Sequence, residues 1–105
     1  MDDLSKILPD LKTRLRERYG DRLVKLILFG SHARGEATED SDIDVLAVLK
    51  DMKNAVDELF QASEDAADIS FDYDTLIGLV LASEEEYLTK NTPLLLNVRR
   101  EGVEI

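Results

Sequence analysis

The sequence predicts an α/β (α+β) domain in which helices flank a small mixed sheet, with the element order α-β-β-α-β-α-α. Three apolar runs, 23–29, 43–49 and 76–81, have the length and continuity of buried strands. The segments around these runs carry apolar residues at helical spacing. Glycine, proline and short polar residues mark the ends of those segments. This alternation is typical of two layers built on one sheet.

The first helix is predicted over residues 5–19. Pro9 leaves two alternatives: it begins the regular helix after a looser turn, or it kinks a longer helix. Gly20 is a natural end, because glycine adopts the left-handed conformation without strain. The apolar residues of this helix recur three or four positions apart, as on one helix face. They are Leu4, Ile7, Leu8, Leu11, Leu15 and Tyr19.

The middle of the chain connects two of the predicted strands. After strand 23–29, residues 31–34 are long enough for one helical turn, and residues 35–41 are polar and rich in turn formers. Strand 43–49 then begins within a pair of acidic residues. The two strands are therefore joined by a short polar connection at one edge of the sheet.

A second long helix is predicted to start near Met52, with Asp51 as its N-cap. Its larger apolar residues, together with a serine, form one stripe, which we expect to be the buried face. Residues 68–74 fit two structures, because they alternate as in a strand and also extend the helical pattern. The stripe consists of Val56, Leu59, Phe60, Ser63 and Ala67.

Two short helices are predicted near the end of the chain. Ser83, followed by three glutamates, is an N-cap with acids in the first turn, and this helix runs to about Lys90. Thr92-Pro93 is a second start signal, with the proline at the first helical position. That helix ends before Gly102, and residues 103–105 are interpreted as a short edge strand.

Composition narrows the class of protein. The length of 105 residues predicts one domain over residues 1–105. The absence of cysteine excludes disulfides and thiolate metal ligands. A formal net charge of −10 disfavours direct binding to nucleic acid and to anionic membranes. The N-terminal sequence MDDLSKILPDLK lacks the basic and apolar regions of a signal peptide, so we expect a cytoplasmic protein.

Two motifs at strand ends indicate the chemistry. Gly30-Ser31 follows the first strand, where glycine lets the backbone approach a ligand closely and a helix start favours anions. Asp42 and Asp44 stand at i and i+2 on the second strand, so their side chains share one face. Two like charges held so close repel unless a cation compensates. A triphosphate on the first motif and Mg²⁺ on the second fit this arrangement.

The two motifs resemble a known signature. Gly30-Ser31, ten further residues and Asp42-x-Asp44 are similar to the signature of the polymerase-β-like nucleotidyltransferase superfamily. The longer strings GSHARG, 30–35, and SDIDV, 41–45, resemble its minimal nucleotidyltransferase (MNT) branch. Members of that branch are single domains of about this length, and the resemblance extends to the closing segment TPLLLNVRREGV. It implies the polymerase-β-like nucleotidyltransferase fold.

The resemblance implies a role for each matching residue. The backbone of Gly30 and the hydroxyl of Ser31 would bind the β- and γ-phosphates of ATP. Asp42 and Asp44 would be catalytic and would coordinate Mg²⁺. Arg34 would complete the nucleotide-binding residues by pairing with a phosphate, or would brace the loop through neighbouring acids. Those acids are Glu36, Glu39 and Asp40.

A third carboxylate completes the site in the fully active members of the superfamily, on the strand beside the two aspartates. The predicted strand 76–81 contains no acid. Asp74 is the nearest candidate for a third catalytic and metal-binding residue, and Asp72 is the next. Because two residues span ~6–7 Å along a strand, Asp74 reaches the metal only through a bend or a bulge.

The resemblance also implies a biological role. Members of the MNT branch are often antitoxins paired with a toxin that has a HEPN domain, and some transfer AMP from ATP to a tyrosine of that partner. We therefore expect a Mg²⁺-dependent nucleotidyltransferase of the protein adenylyltransferase type, acting on a helical HEPN toxin or another protein. Two alternatives stay open: a catalytically weak nucleotide-binding module that neutralises its partner by direct binding, and a regulatory subunit completed by another chain.

Overall fold

The computed structural model of the protein describes residues 4–38 and 40–105. Within this part of the chain, helices and strands alternate along most of the sequence, with one 3₁₀ turn at Gly20–Arg22. The helices are α1 Leu4–Tyr19, α2 Ser31–Arg34, α3 Ala55–Asp72, α4 Glu84–Thr89 and α5 Pro93–Glu101, and the strands are β1 Leu23–Phe29, β2 Ile43–Leu49, β3 Ile77–Ser83 and β4 Val103–Glu104.

The four strands form one mixed sheet in the order β3-β2-β1-β4. Strand β1 is antiparallel to both of its neighbours, whereas β2 and β3 are parallel. Asp44 at the start of β2 lies opposite Phe29 on one side and Gly78 on the other. The predicted α+β class with a small mixed sheet is confirmed, and β3 forms one edge of the sheet.

Helices cover both faces of the sheet. Helices α1 and α3 pack on one face, on alternate residues of β2 such as Ile43 and Val45, and the core there is large. The smaller core on the other face contains Leu46 and Val48 of β2 with Leu95 and Val98 of α5. Since Asp44 shares its side of β2 with Leu46, it points to the α5 face.

Most of the predicted elements are confirmed. Strands 23–29 and 43–49, the helical turn at 31–34 and the short edge strand occur as expected. The ambiguous segment 68–74 finishes α3 instead of forming a strand, and β3 begins at Ile77, one residue later than expected. Ser83 caps α4 in a reciprocal capping box with Glu86, and Thr92 caps α5. No helix of the described residues is long and apolar enough to cross a membrane.

Near the helix starts, one of the two alternatives for Pro9 is excluded and the predicted N-cap of α3 is wrong. Pro9 lies inside α1, so it does not begin the regular helix. Asn54, not Asp51, is the N-cap of α3, and its side-chain oxygen accepts a hydrogen bond from the N–H of Asp57. Asp51 has a positive φ of 51°, whereas an N-cap needs the extended region.

The predicted buried face of α3 is also wrong. The residues of α3 that lie in the core are Ala62, Ala66 and Ile69, with Asp65 among them. Phe60 of the predicted stripe is 72% exposed. The helix has two apolar faces, and the one with small side chains packs on the sheet because it allows a close approach.

Arginines on and just after α1 pair with acids of α3. Arg18 donates from Nε to Asp65 at 2.6 Å, and Asp65 is only 9% exposed. Arg22, in the 3₁₀ turn, binds both carboxylate oxygens of Glu58. Because each buried acid meets a guanidinium, the α1–α3 layer holds no uncompensated buried carboxylate among the described residues.

Candidate active site

The turn after β1 is shaped by two glycines. Gly30, with φ 76° and ψ −156°, is the N-cap residue of α2, and Gly35 ends this helix in the left-handed conformation with φ 74°. Backbone bonds close the turn, from the N–H of Arg34 to the carbonyl of Gly30 and from the N–H of Glu36 to the carbonyl of Ser31. The first amides of α2 have no carbonyl of the helix to bind. They lie next to the hydroxyl of Ser31.

The carboxylate of Asp44 lies between two glycines. A Cβ atom added to Gly30 would come 2.5 Å from Oδ2 of Asp44, and one added to Gly78 would come 2.9 Å from Oδ1. Any larger residue at either position would therefore displace the carboxylate. Gly78 lies beside Asp44 because the two residues are paired in the parallel ladder of β2 and β3. Its lack of a side chain leaves room for the carboxylate.

Asp44 is a partly buried carboxylate without a bonding partner. Burial raises its pKa above the ordinary value of 3.8, and the negative charge of Asp42 raises it further. The positive charges of His32 and Arg34 lower the pKa but do not cancel the rise. Among the described residues, no hydrogen bond or ion pair reaches its oxygens. The site therefore concentrates negative charge at a point that a cation would stabilise.

Asp42 and Ser41 lie just before β2. Asp42 is exposed, and its charge acts on Asp44. Nε2 of His32 lies 3.4 Å from the carbonyl oxygen of Ser41, which links α2 to the residue preceding Asp42. Ten residues separate Ser31 from Asp42 in the sequence. In the structure, the glycine-serine turn and the two aspartates lie side by side.

Arg34 braces the loop. Its Nε donates to Glu36 at 2.6 Å and its Nη1 donates to Glu101 at 3.1 Å. The sequence reasoning named Glu36 but missed Glu101, because nothing in the spacing links residues so far apart in the chain. Glu39 lies outside the described residues. In the structure, Arg34 thus braces the loop through acids, as one of its two predicted roles requires. The positive charge of Arg34 also acts on Asp44.

The candidates for a third carboxylate lie apart from this pair. Asp72 accepts a hydrogen bond from Nη2 of Arg14 at 3.1 Å, which directs it toward α1. Asp74 is exposed, has φ 51°, and lines a groove together with Phe71 and Leu76. In residues 4–38 and 40–105, no three histidine or acidic side chains lie close enough to hold one metal ion. Asp74 as a third ligand stays a prediction.

The donor atoms at the site fit a hard divalent cation. Two carboxylates on neighbouring positions supply oxygen ligands, the kind that Mg²⁺ binds with waters and substrate phosphates. The glycine-serine turn beside them offers backbone N–H groups and a hydroxyl to an anion. The arrangement can therefore hold a phosphate chain and a cation against each other.

Comparison with known families agrees with this geometry. The family described as nucleotidyltransferase domain matches residues 8–96. "Putative protein adenylyltransferase MJ0141" of Methanocaldococcus jannaschii is 32% identical over 103 residues, which are 98% of this chain and 99% of that protein. "Putative protein adenylyltransferase MJ1305" of the same organism is 30% identical over 97 residues, and the matched region spans 66% of its length. "Protein adenylyltransferase MntA" of Thermococcus cleftensis is 42% identical over 52 residues, half of each chain.

Two solved structures share the fold. A structure described as a minimal nucleotidyltransferase superposes with a TM-score of 0.60 at 26% identity, over 98% of this chain and 96% of that chain. A toxin-antitoxin crystal structure with AMP-PNP superposes with a TM-score of 0.64 at 22% identity, over 90% of this chain and 68% of that chain.

Proposed function

This chain is an enzyme of the nucleotidyltransferase domain family, and we propose that it transfers AMP from ATP to a tyrosine hydroxyl of a HEPN-type partner toxin, so acting as an antitoxin. The observation that carries the proposal is Asp44, a partly buried, unpaired carboxylate enclosed by Gly30 and Gly78. A fold maintains such a group at a cost, and a ligand that meets its charge explains why.

Asp42 and Asp44 would hold Mg²⁺. The fit rests on the donor set, two carboxylates that repel each other, and on the space that the two glycines leave around Asp44. When bound, Mg²⁺ neutralises charge on the phosphate chain and on the pyrophosphate that leaves. The cytoplasm supplies both Mg²⁺ and ATP, in line with the expected location.

The remaining residues of the site would position the nucleotide. The backbone of Gly30 and the hydroxyl of Ser31 would bind the β- and γ-phosphates, because glycine permits close approach and the start of α2 presents free N–H groups. Arg34 holds this loop through Glu36 and Glu101, and it adds positive charge near the phosphates. In the transfer, the tyrosine oxygen bonds to the α-phosphorus and the bond to the β-phosphate oxygen breaks. The phenolic proton leaves to a base, for which Asp74 stays the candidate.

The partner proposal rests on relatives. Three similar proteins carry the name protein adenylyltransferase, which describes transfer to a protein. One structure of the same fold is a toxin-antitoxin complex with an ATP analogue. The HEPN type of the toxin follows from the resemblance to the MNT branch. The net charge of −10 supports a protein rather than a nucleic acid as acceptor.

Incubation with labelled ATP, Mg²⁺ and a HEPN-domain protein from the same genome tests the proposal. The wild-type chain should label a tyrosine of the partner, and the double variant Asp42→Asn/Asp44→Asn should label it at least ~100-fold more slowly. Asp40→Asn, which removes an exposed acid from the same loop, is the matched control and should retain activity. No transfer by the wild type to a partner that it binds would contradict the proposal.

A second function is favoured by one observation. Gly78, not an acid, lies opposite Asp44, and no third carboxylate joins the pair in the described residues. A chain with two metal ligands would bind nucleotide but turn over slowly, and it would neutralise the toxin by covering it. Full neutralisation in cells by Asp42→Asn/Asp44→Asn would select this alternative, whereas loss of neutralisation would select catalysis.

A further inference from the structure

The second apolar face of α3 is open to solvent. Val56 is 64% exposed, Phe60 72% and Phe71 89%. Ser63 and Ala67 lie between them on the same side of the helix and are also exposed. These five residues, which we call the α3 outer face, follow each other at spacings of three or four, as in a helix that packs against another helix.

The α3 outer face continues onto the edge of the sheet. A groove of about 600 Å³ lies between α3 and β3 and is lined by Ser63, Ala67 and Phe71 on the helix side and by Leu76 and Leu79 on the strand side. Strand β3 pairs only with β2 in the described residues, and its sequence IGLVLAS contains no charge and no proline. Edge strands usually carry such residues to prevent pairing. The helix face and the bare edge therefore form one uncovered surface.

Two acids of α3 that border this surface pair with arginines of α1. Glu64 pairs with Arg18, and Asp68 pairs with Arg14, so these acids face α1. The α3 outer face itself contains no charged side chain. Bringing two such faces together would not place the paired acids against each other, although the chain as a whole is acidic.

We propose that the α3 outer face and the β3 edge form the contact of a symmetric homodimer. The face reads large, large, small, small, large from Val56 to Phe71. Two copies of α3 can run antiparallel about a two-fold axis that crosses the helix at the level of Asp65. Phe60 then meets Phe71 of the second copy, and Ser63 meets Ala67. Small residues at the centre let the helices approach, and the aromatic rings close the contact at both ends. A symmetric pairing of this kind requires one surface to complement itself.

The polar residues at the two ends of the proposed contact are complementary in charge. In the antiparallel arrangement, Asp74, after the C-terminus of α3, would come near Lys53 and the N-terminus of α3 of the second copy. A negative charge at a helix N-terminus and near a lysine is favourable. Asp74 has no ion pair among the described residues of its own chain, and neither has Lys53.

The exposed area suits a stable dimer. At ~200 Å² for a whole phenylalanine side chain, Phe60 and Phe71 alone offer about 300 Å² on each copy. Val56, Leu76, which is 60% exposed, and the strand edge extend the contact. The strand edge and the small residues of the helix face would have to supply the remainder of the ~800 Å² per partner of a standard interface. Because Asp44 points to the other face of the sheet, the dimer leaves Asp44 and the glycine-serine turn open, but it engages Asp74 and so competes with the role of Asp74 as the base.

Sedimentation velocity on the full chain tests the dimer. We expect the wild type to sediment with twice the mass of the chain at micromolar concentration. Phe60→Ser/Phe71→Ser should weaken the dimer at least ~100-fold, because each copy loses the two largest apolar side chains of the contact. Leu88→Ser removes a leucine that is 67% exposed elsewhere on the surface, and it should leave the mass unchanged. Circular dichroism confirms that each variant folds.

Disulfide trapping tests the geometry. The chain has no cysteine, so a single introduced thiol reports on one position. A mixture of Ser63→Cys and Ala67→Cys chains should form a disulfide-linked dimer under mild oxidation faster than either variant alone. A wild type that is still monomeric at ~100 µM would overturn the proposal. A dimer unchanged by Phe60→Ser/Phe71→Ser would overturn it as well.

Discussion

Two partly buried carboxylates, Asp65 and Asp44, lie on opposite sides of the sheet, and their surroundings differ. Asp65 on α3 accepts two hydrogen bonds from the guanidinium of Arg18, at 2.6 and 3.3 Å. Asp44 on β2 faces Gly30 and Gly78 and has a second acid nearby. The first carboxylate has its partner within the protein, and the second has no hydrogen-bond or ion-pair partner among the described residues.

The difference separates structure from function. Burial of a charged group is tolerated when a partner meets it, as Arg18 meets Asp65, and is costly otherwise. The α1–α3 layer uses arginine for every such acid that faces it. The candidate site instead leaves Asp44 unpaired and places glycines where any side chain would displace its carboxylate. The unpaired acid, not the paired one, therefore marks the place where we propose that a cation binds.

Among substitutions that leave both aspartates in place, the largest expected effect comes from filling the space beside Asp44. Gly78→Ala would place a Cβ atom 2.9 Å from Oδ1 of Asp44 and move the carboxylate. We expect AMP transfer to fall at least ~10-fold, because a small displacement of a metal ligand misaligns the reacting groups. Labelled-ATP assays at saturating Mg²⁺ measure it.

Gly20→Ala is the matched control for this change. Gly20 has φ 56° and nothing within 4 Å of its added Cβ. The variant should lose ~1 kcal/mol of folding stability through backbone strain and keep its activity. Equal loss of activity in both variants would show that strain, not the position of Asp44, controls the site.

Neutralising the two carboxylates should change stability in opposite directions. Asp65→Asn leaves Arg18 without its partner and should lower the free energy of unfolding by ~1–3 kcal/mol. Asp44→Asn removes an uncompensated charge, so the metal-free variant should unfold at a higher urea concentration than the wild type. Urea denaturation with EDTA gives both values. If both substitutions destabilised the protein, Asp44 would not be an uncompensated charge, and the comparison with Asp65 would be wrong.

The stabilisation by Asp44→Asn should depend on pH. The folded pKa of Asp44 is raised above its ordinary value of 3.8, so the folded state binds the proton more tightly than the unfolded state. The contribution of Asp44 to the stability of the metal-free wild type therefore falls as pH rises from 3.8 through the raised pKa. The advantage of Asp44→Asn should be complete above that pKa and disappear as pH falls toward 3.8. The measurement is the melting temperature of Asp44→Asn and of the wild type across this pH range. A difference between them that stays constant with pH would contradict the interpretation.

The smallest expected effect concerns Arg34. If it acts by bracing the loop, Arg34→Ala and Glu101→Ala both remove the bond between α2 and α5 and should raise the KM for ATP by similar small factors, ~2–5-fold. If Arg34 also touches a phosphate, Arg34→Ala alone should raise KM well beyond that range. Steady-state kinetics of the two variants separates these outcomes.

The sequence predicted those parts of the fold that depend on local signals. Continuous apolar runs placed β1 and β2, and Ser83 and Thr92 placed the starts of α4 and α5. The buried face of α3 was missed because apolar side chains occupy two faces of the helix. The face with the larger side chains was predicted to be buried, and the face with the smaller ones is buried in the structure. Only the packing distance between α3 and the sheet decides between Phe60 and the alanines, and that distance is a tertiary property.

The candidate site shows the same division. The spacing of Gly30-Ser31 and Asp42-x-Asp44 identified the motifs, and the structure brings them together. Glu101 could not be predicted, because it reaches Arg34 from a helix 67 positions later. The environment of Asp44 depends on the register between β2 and β3, which places Gly78 beside it. Asp74 cannot be judged from sequence distance, since the turn before β3 sets its direction.

Calorimetric titration of Mg²⁺ into the protein with bound AMP-PNP tests the central claim most directly. If Asp44 is unpaired because it awaits a cation, the wild type should bind Mg²⁺ and Asp44→Asn should bind it at least ~10-fold more weakly, as loss of one charged ligand predicts. Asp65→Asn should bind as the wild type does. Equal Mg²⁺ affinity in the wild type and Asp44→Asn would contradict the account.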